Sequence, residues 1–284
     1  MNKKSVSVII PAYNEAEVIG VVLADIQKYL AGYEHEIIVV DDGSTDGTGG
    51  IANKAGAVIV RNSSNMGYGF SLKRGVHTAR FEYVLTIDAD GTYPADKIPE
   101  LMQKAGEGFD MAIGARRGQT YWSSITKSIF RIFFKYIAEF VAGTSIPDIN
   151  SGFRVINREK LLPVLPDLSK GFSFSTSVTL IFFLKGYFVA YIPIPYARRH
   201  GKTKVKHFRD SLRALQIMVD VAVSYNPIKF FMLVAGFPFI LFLTTFILGW
   251  ILWQSWLLVV SAVFLASVFL IMSIGFFSTI FRVK

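Results

Sequence analysis

Two carboxylates stand one residue apart where an apolar run ends, in the segment LTIDADGTYP (residues 85–94). Side chains alternate along extended backbone, so Asp88 and Asp90 would point to the same side of a strand. Like charges at that spacing repel each other, and a shared divalent cation relieves the repulsion. Because both ligands are hard oxygens, we expect Mg²⁺ or Mn²⁺ with a bound diphosphate, and the alternative is a solvated turn.

A second acidic pair ends another apolar run, in the segment VVDDGSTDGT (residues 39–48). Asp46 or a neighbouring hydroxyl residue can cap the helix that is expected to follow, but capping does not explain Asp41 and Asp42. A buried carboxylate here could accept hydrogen bonds from a nucleobase or a ribose hydroxyl. Hydrolysis of glycosides needs a carboxylic acid opposite a base, and the residues alone leave that reaction open.

The elements that position these acids follow from the pattern of apolar runs. The predicted strands are residues 5–11, 36–40, 57–60, 83–87 and 111–114, and helix-like segments cover residues 15–30 and 70–78. Runs that are apolar on both faces and alternate with helices predict an α/β fold with a mostly parallel, doubly covered sheet. Ligands of such sheets bind beyond the carboxyl ends of the strands, where PAYNE, DDGSTDGT, RNSSNMGYG and DADG all lie.

The C-terminal part of the sequence has a different character. Residues 230–281 contain no Asp, Glu, Lys, Arg or His, which is about twice the length that crosses a hydrocarbon core of roughly 30 Å. Two transmembrane helices with a turn near residues 250–256 are therefore predicted, and a buried helix pair is the alternative. Lys229, Arg282 and Lys284 flank the run and assign its ends to the cytoplasm. We expect an integral, multi-pass membrane protein whose sheet domain is cytoplasmic, because the first residues show no signal-peptide pattern.

The formal net charge of +9 lies outside this hairpin, in segments such as residues 197–210. Nucleic-acid binding would predict basic residues interleaved with aromatic ones, so a membrane surface or a phosphorylated lipid is the expected partner. Residues 123–142 and 207–225 are amphipathic, and each either lies in the membrane interface or packs on the sheet domain. The sequence has no cysteine, which excludes disulfides and thiol chemistry.

Five segments in register, VSVIIPAYNE, VVDDGSTDGT, NMGYG, LTIDADGTYP and DINSGFRV, resemble the family 2 glycosyltransferases of GT-A fold. With the hairpin and RRHGKTKV, the chain is similar to the branch that acts on dolichyl or undecaprenyl phosphate. This resemblance implies inverting transfer of a hexose from a UDP or GDP sugar to a polyprenyl phosphate, with Mg²⁺ or Mn²⁺ as cofactor. It also implies a GT-A core over residues 1–120, an acceptor-side region over 121–226 and a membrane hairpin over 227–284.

The resemblance assigns roles to individual residues. It implies nucleotide binding by Pro11, Tyr13, Glu15, Asp41, Asp42 and Lys73, and metal and diphosphate binding by Asp88 and Asp90. It implies that the acceptor phosphate is held by Arg116, Arg131, Arg199 and Lys202, and that the sugar pocket contains Asp148 and Ser151. The catalytic set is then Asp88, Asp90, Arg116 and Arg131.

Each of these roles has a plainer alternative. Relatives often carry Gln shortly after the Asp-x-Asp, where this chain has Thr92. Without the resemblance, Arg116 could lie in a solvated turn, Arg199 and Lys202 could anchor the chain to anionic lipid, and Asp148 could cap a short helix.

Two other functions and an assembly state have recognisable sequence features. A processive polysaccharide synthase usually has several membrane helices and a QxxRW-like motif, and the sequence has neither. A non-catalytic, membrane-tethered module that binds nucleotide sugar or lipid is the other alternative, and the intact Asp88 and Asp90 argue against it. Gly236, Gly249 and Gly275 in the hairpin could support a homo-oligomer.

Overall fold

The computed structural model describes residues 5–117, 135–195 and 207–280. The chain divides into two compact units, Met1–Ile217 and Met218–Lys284. The first unit contains the sheet and the helices around it, and the second contains the apolar hairpin.

The sheet has seven strands in the described residues, in the order β3-β2-β1-β4-β6-β5-β7. They are β1 (Ser5–Ala12), β2 (Glu34–Asp41), β3 (Val58–Arg61), β4 (Tyr83–Thr86), β5 (Met111–Arg117), β6 (Arg154–Asn157) and β7 (Val189–Pro195). Six strands run in one direction, and β6 runs antiparallel between β4 and β5. The predicted mostly parallel α/β sheet is confirmed, while β6 and β7 were not predicted.

The helices of the described residues are α1 (Ile19–Leu30), α2 (Thr48–Lys54), α3 (Tyr68–Thr78), α4 (Ile98–Gly106), α5 (residues 135–142), α6 (Arg158–Leu161), α7 (Phe174–Leu184), α8 (His207–Tyr225), α9 (Pro227–Ile251) and α10 (Ser255–Ile280). Within the first unit, helices cover both faces of the sheet. The apolar residues of α1 and α4 join Val8 and Ile10 of β1 in one core. On the opposite face, Gly75 of α3 packs directly on Ile9 of β1. Strand β1 is thus apolar on both faces because both are buried.

Strand register brings several polar strand ends to one edge. Ala12 of β1 lies opposite Asp41 of β2, and Ile9 lies opposite Thr86 of β4. The strand expected over residues 83–87 ends at Thr86, so Asp88 and Asp90 lie in the following loop and turn. The argument that both side chains project from extended backbone is therefore wrong, because the backbone turns at Ala89–Asp90.

The hairpin consists of α9 and α10, joined by residues 252–254. The predicted break near residues 250–256 is confirmed, and Trp253 adopts a left-handed conformation there (φ 54°). A Cβ on Gly249 would lie 3.0 Å from Leu258, and one on Gly275 would lie 2.7 Å from Phe231. These two glycines therefore serve packing within the hairpin. In length and composition, α9 and α10 could each cross a membrane, with mean hydropathies of 2.4 and 2.8.

Candidate functional site

The loops that follow β1 and β2 are joined by side-chain hydrogen bonds. Asn14 has a φ of 51°. Its backbone amide donates to Ser44 Oγ (3.0 Å), and its side-chain Oδ1 accepts from the Thr45 backbone amide (2.9 Å). Asp46 accepts the Ala16 amide at Oδ2 (3.0 Å). Short polar side chains thus fix two strand-end loops against each other, as expected for residues that hydrogen-bond to neighbouring backbone.

The Asp42 carboxylate organises the loop after β3. It accepts Asn62 Nδ2 (2.6 Å) and the Met66 amide (2.9 Å) at Oδ1, and the Gly67 amide (2.9 Å) at Oδ2. Asp42 is buried, so these charge-assisted bonds offset its loss of hydration. The loop of residues 62–67 takes its shape from this one carboxylate.

The neighbouring Asp41 is also buried and has its own partners. Its Oδ1 accepts the Ser44 amide (2.8 Å), and Arg61 Nε lies 3.8 Å from Oδ2. A Cβ on Gly49 would stand 2.6 Å from Oδ2, so glycine allows α2 to approach this carboxylate. The nucleotide-binding roles of Asp41 and Asp42 stay predictions, and the described contacts give both a structural role.

The other predicted nucleotide ligands lie in two places. Pro11 is near the end of β1, and Tyr13 and Glu15 lie in the loop before α1. Lys73 lies on α3 and donates from Nζ to the Pro166 carbonyl (3.0 Å). Burial, and then the charge of Lys170, lowers the pKa of Lys73. Its described contact is therefore with the segment before α7, not with the joined loops.

Asp88 lies between a hydroxyl and a glycine. The Tyr68 hydroxyl donates to Asp88 Oδ1 (2.9 Å), and burial followed by the Asp88 charge raises the pKa of Tyr68 well above its ordinary value of 10.0. A Cβ on Gly152 would lie 2.9 Å from Asp88 Oδ1 and 2.8 Å from the Tyr68 oxygen. The motif DINSGFR therefore needs glycine at this position, because the carboxylate occupies the space of a side chain.

Gly152 is itself fixed by two hydrogen bonds. Its amide donates to the Tyr93 hydroxyl (2.8 Å), and its carbonyl accepts from Thr86 Oγ1 (2.7 Å). A cleft of about 410 Å³ adjoins Asp88 and is lined by Gly91, Tyr93 and one face of α1. The Asp88 loop thus borders an open space while its backbone neighbours are held firmly.

Asp90 is 6% exposed and is bound by its own turn. Its Oδ1 accepts the Thr92 amide (3.2 Å) and Thr92 Oγ1 (2.7 Å), and Gly91 between them has a φ of 69°. Thr92, which the resemblance marked as the departure from the expected Gln, thus contacts the Asp90 carboxylate directly.

The donor set fits a hard divalent cation that brings ligands of its own. In the described part of the chain, no group of three His, Cys, Asp or Glu could hold a metal ion. A cation at Asp88 and Asp90 would therefore take its remaining ligands from a diphosphate and water, as Mg²⁺ commonly does.

Arg116 and Asp148 form a two-pronged ion pair. Arg116 Nε donates to Asp148 Oδ2 (2.7 Å) and Nη2 to Oδ1 (2.9 Å), and the Arg116 amide adds a third bond (3.1 Å). Burial raises the pKa of Asp148, but the hydrogen bonds and charge of Arg116 outweigh burial, so the net pKa lies below its ordinary value of 3.8. The structure brings together two residues that were predicted for different ligands. Arg131, Arg199 and Lys202 lie outside the described residues.

Three residues near the site were not singled out from the sequence: Tyr68, Tyr93 and Arg154. Arg154 is 1% exposed and donates to the Ser151 and Ser175 carbonyls and to Thr179 Oγ1 (3.0 Å). Burial lowers its pKa. Ser151 is also buried, and its Oγ accepts the Phe153 amide (3.3 Å). The motif DINSGFR contained the signal for Arg154, but its burial depends on α7, which was not predicted.

Comparison with known sequences gives a family match and named relatives. Residues 7–163 match the sequence profile described as Glycosyl transferase family 2. The chain is 32% identical over 220 residues to a dolichyl-phosphate hexose transferase of Haloferax volcanii, covering 77% of this chain and 94% of that protein. It is 30% identical to a polyprenol monophosphomannose synthase of Mycolicibacterium smegmatis, covering 68% of this chain and 77% of that protein.

Comparison with solved structures shows the same fold. Glucosyl-3-phosphoglycerate synthase from Mycobacterium tuberculosis, solved with Mn²⁺, UDP-glucose and phosphoglyceric acid, matches with a TM-score of 0.64 at 20% identity. The match covers 78% of this chain and 80% of that one. The expected GT-A architecture is thereby confirmed, together with the mostly parallel sheet.

Proposed function

We propose a function from the premise that this chain belongs to glycosyl transferase family 2 and is a glycosyltransferase. It transfers a hexose, with inversion, from a UDP or GDP sugar to a polyprenyl phosphate at the cytoplasmic face of a membrane. The observation that supports this best is the Asp88–Asp90 loop at a strand end beside the open cleft, in a chain that also has two helices of membrane-spanning length.

Donor binding is proposed at the joined loops and the Asp88 loop. Tyr13 and Glu15 lie in the loop that Asn14 and Asp46 hold in place, so this edge of the sheet is shaped before a nucleoside arrives. Asp88 and Asp90 would hold Mg²⁺ or Mn²⁺ together with the diphosphate. When bound, such an ion stabilises the negative charge that develops on the leaving nucleoside diphosphate.

The acceptor needs positioning more than activation. A lipid phosphate is already ionised at neutral pH, so its oxygen is nucleophilic without a dedicated general base. Cationic side chains would orient this oxygen toward C1 of the sugar. We assign this role to Arg131, Arg199 and Lys202, and to Arg116, whose guanidinium Asp148 holds in one orientation.

The hairpin would keep the enzyme where its acceptor is located. Polyprenyl chains remain in the hydrocarbon layer, and a cytoplasmic sheet domain meets only the phosphate head. The relatives named for dolichyl phosphate and polyprenol support this acceptor class.

Product analysis tests the proposal directly. Membranes containing the chain are incubated with radiolabelled UDP and GDP hexoses, extracted with organic solvent, and compared with membranes containing Asp90→Asn. We expect one donor to label a lipid that is acid-labile and depends on added polyprenyl phosphate. Label in a growing water-soluble polymer would instead show a processive synthase. No labelled product with any of the hexose donors, despite retained nucleotide-sugar binding, would favour the non-catalytic module.

A further inference from the structure

We propose that Tyr68 is a positioning residue for Asp88: its hydroxyl fixes the orientation of the carboxylate that takes the divalent cation and the diphosphate. The inference rests on the proposed function, because it assumes that Asp88 is a metal ligand. It adds a residue that lies on another element, α3, and that would act through Asp88.

The first argument is the contact itself. The Tyr68 hydroxyl donates to Asp88 Oδ1 at 2.9 Å, and Gly152 lies on the same oxygen so closely that no side chain would fit there. A carboxylate between a donor and a backbone wall has little freedom to rotate. Hydrogen bonds of this kind set the orientation of metal ligands in proteins.

The second argument is that Tyr68 is held at its backbone. It is the first residue of α3, and the Gly67 amide directly before it donates to Asp42 Oδ2 (2.9 Å). Gly67 has a φ of 101°, a conformation that favours glycine. The buried Asp42 therefore fixes the point at which Tyr68 leaves the loop.

The third argument is that Tyr68 is also held at its ring. Phe172 stacks on it with ring centroids 5.9 Å apart and an angle of 19° between the planes. The Phe70 amide donates to the Lys170 carbonyl (2.9 Å), and a Cβ on Gly69 would collide with the Ser169 carbonyl. Both glycines of NMGYG thus have a described role in shaping this corner. The ring cannot move away from Asp88 without breaking these contacts.

The test measures metal affinity separately from turnover. Purified full-length protein in detergent is titrated with Mn²⁺ in the presence of UDP or GDP, and unbound Mn²⁺ is followed by electron paramagnetic resonance. Tyr68→Phe should raise the Mn²⁺ concentration for half-saturation by roughly tenfold, the usual effect of losing a partner of a metal ligand. Excess Mn²⁺ should restore most of kcat. The matched control is Tyr83→Phe, which removes a hydroxyl that lies 3.4 Å from the Ala105 carbonyl. This variant should bind Mn²⁺ with the affinity of the wild type.

The outcomes separate this inference from the proposed function. If Asp88→Asn binds Mn²⁺ as well as the wild type, the metal role of Asp88 fails and the inference fails with it. If Asp88→Asn loses Mn²⁺ while Tyr68→Phe keeps wild-type affinity, the inference alone is overturned. A loss of kcat in Tyr68→Phe that excess Mn²⁺ does not restore would also overturn it, because it would indicate a role in folding or substrate contact.

A second variant covers the case in which Tyr68→Phe does not fold. Phe172→Leu keeps the hydroxyl and removes the stacked ring, and Phe172 is 49% exposed, so its loss should be tolerated. We expect Mn²⁺ affinity to fall in this variant as well, by roughly threefold, which corresponds to the energy that one aromatic pair usually contributes. Unchanged affinity in this variant would contradict the ring's part in the positioning.

Discussion

Two acidic pairs that look alike in the sequence have different surroundings in the fold. Asp41 and Asp42 at the end of β2 accept hydrogen bonds from three backbone amides, those of Ser44, Met66 and Gly67. Asp88, in contrast, meets the hydroxyl of Tyr68, and Asp90 is bound within its own turn. The first pair therefore shapes two loops through backbone amides of several residues, whereas the described contacts of the second pair are mainly with hydroxyl groups, and Asp88 borders the cleft.

The difference also connects the two pairs. Asp42 fixes Gly67, and the next residue, Tyr68, contacts Asp88. The first pair therefore supports the second through one loop. Changes at the two pairs should give opposite combinations of activity and stability, and this contrast can be measured.

The largest effect is expected at the second pair. Asp90→Asn keeps an oxygen for the Thr92 donors but removes the charge, so the transfer rate should fall by roughly 10³-fold or more, as when a major electrostatic contact is lost. Unfolding temperature and membrane insertion should hardly change. The transfer assay and thermal unfolding of the same preparation check this, and full activity would remove the proposed metal role.

A smaller effect, on stability, is expected at the first pair. Asp42→Asn can retain at most part of its three hydrogen bonds, so the free energy of unfolding should fall by about 3 kcal/mol. The loss of stability is measured by denaturant unfolding followed by circular dichroism. The control is Asp96→Asn, which removes the same charge at an exposed position. If Asp42→Asn were as stable as this control while losing activity, the two pairs would not differ as described.

The smallest effect is expected at a third carboxylate, Asp148, whose main partner is the guanidinium of Arg116. Asp148→Asn should lower the free energy of unfolding by about 2 kcal/mol. The loss is smaller than for a fully buried ion pair, because the Arg116 side chain is 14% exposed. The pKa of Asp148 is lower in the folded state than its ordinary value of 3.8. Its stabilisation is therefore complete above that value and is lost as the pH falls through the lower, folded pKa.

Unfolding curves of the wild type and Asp148→Asn between pH 7 and 3 test this direction of the pH dependence. The difference in stability should stay constant down to about pH 4 and shrink only below it. A difference that already declines between pH 7 and 5 would contradict the pairing with Arg116.

The parallel part of the sheet could be predicted because its strands are apolar on both faces and alternate with helices. β6 escaped prediction because RVIN is only four residues long and begins with a charged residue, Arg154. Its burial is decided by partners on α7 that come about 20 residues later in the chain. Such long-range contacts leave no periodic signal in the strand itself.

The site could be predicted as a set of strand-end acids but not as a set of contacts. Asp88 and Asp90 were recognised by position, whereas the pairing of Arg116 with Asp148 links residues 32 apart. Tyr68 was missed because a tyrosine inside NMGYG looks like a surface or core residue until its hydroxyl is seen on Asp88. The residue types in the sequence indicate which groups can react, and tertiary contacts decide which other residues hold those groups in place.

The single reversed strand has a further consequence. Because β6 runs opposite to β5, the end of β5 at Arg117 and the start of β6 at Arg154 lie at the same rim of the sheet. Two strand ends that meet at one rim can be joined by links of different length or composition without a shift of either strand. The carboxylates at the other strand ends can thus keep their places while the composition of the link between β5 and β6 changes.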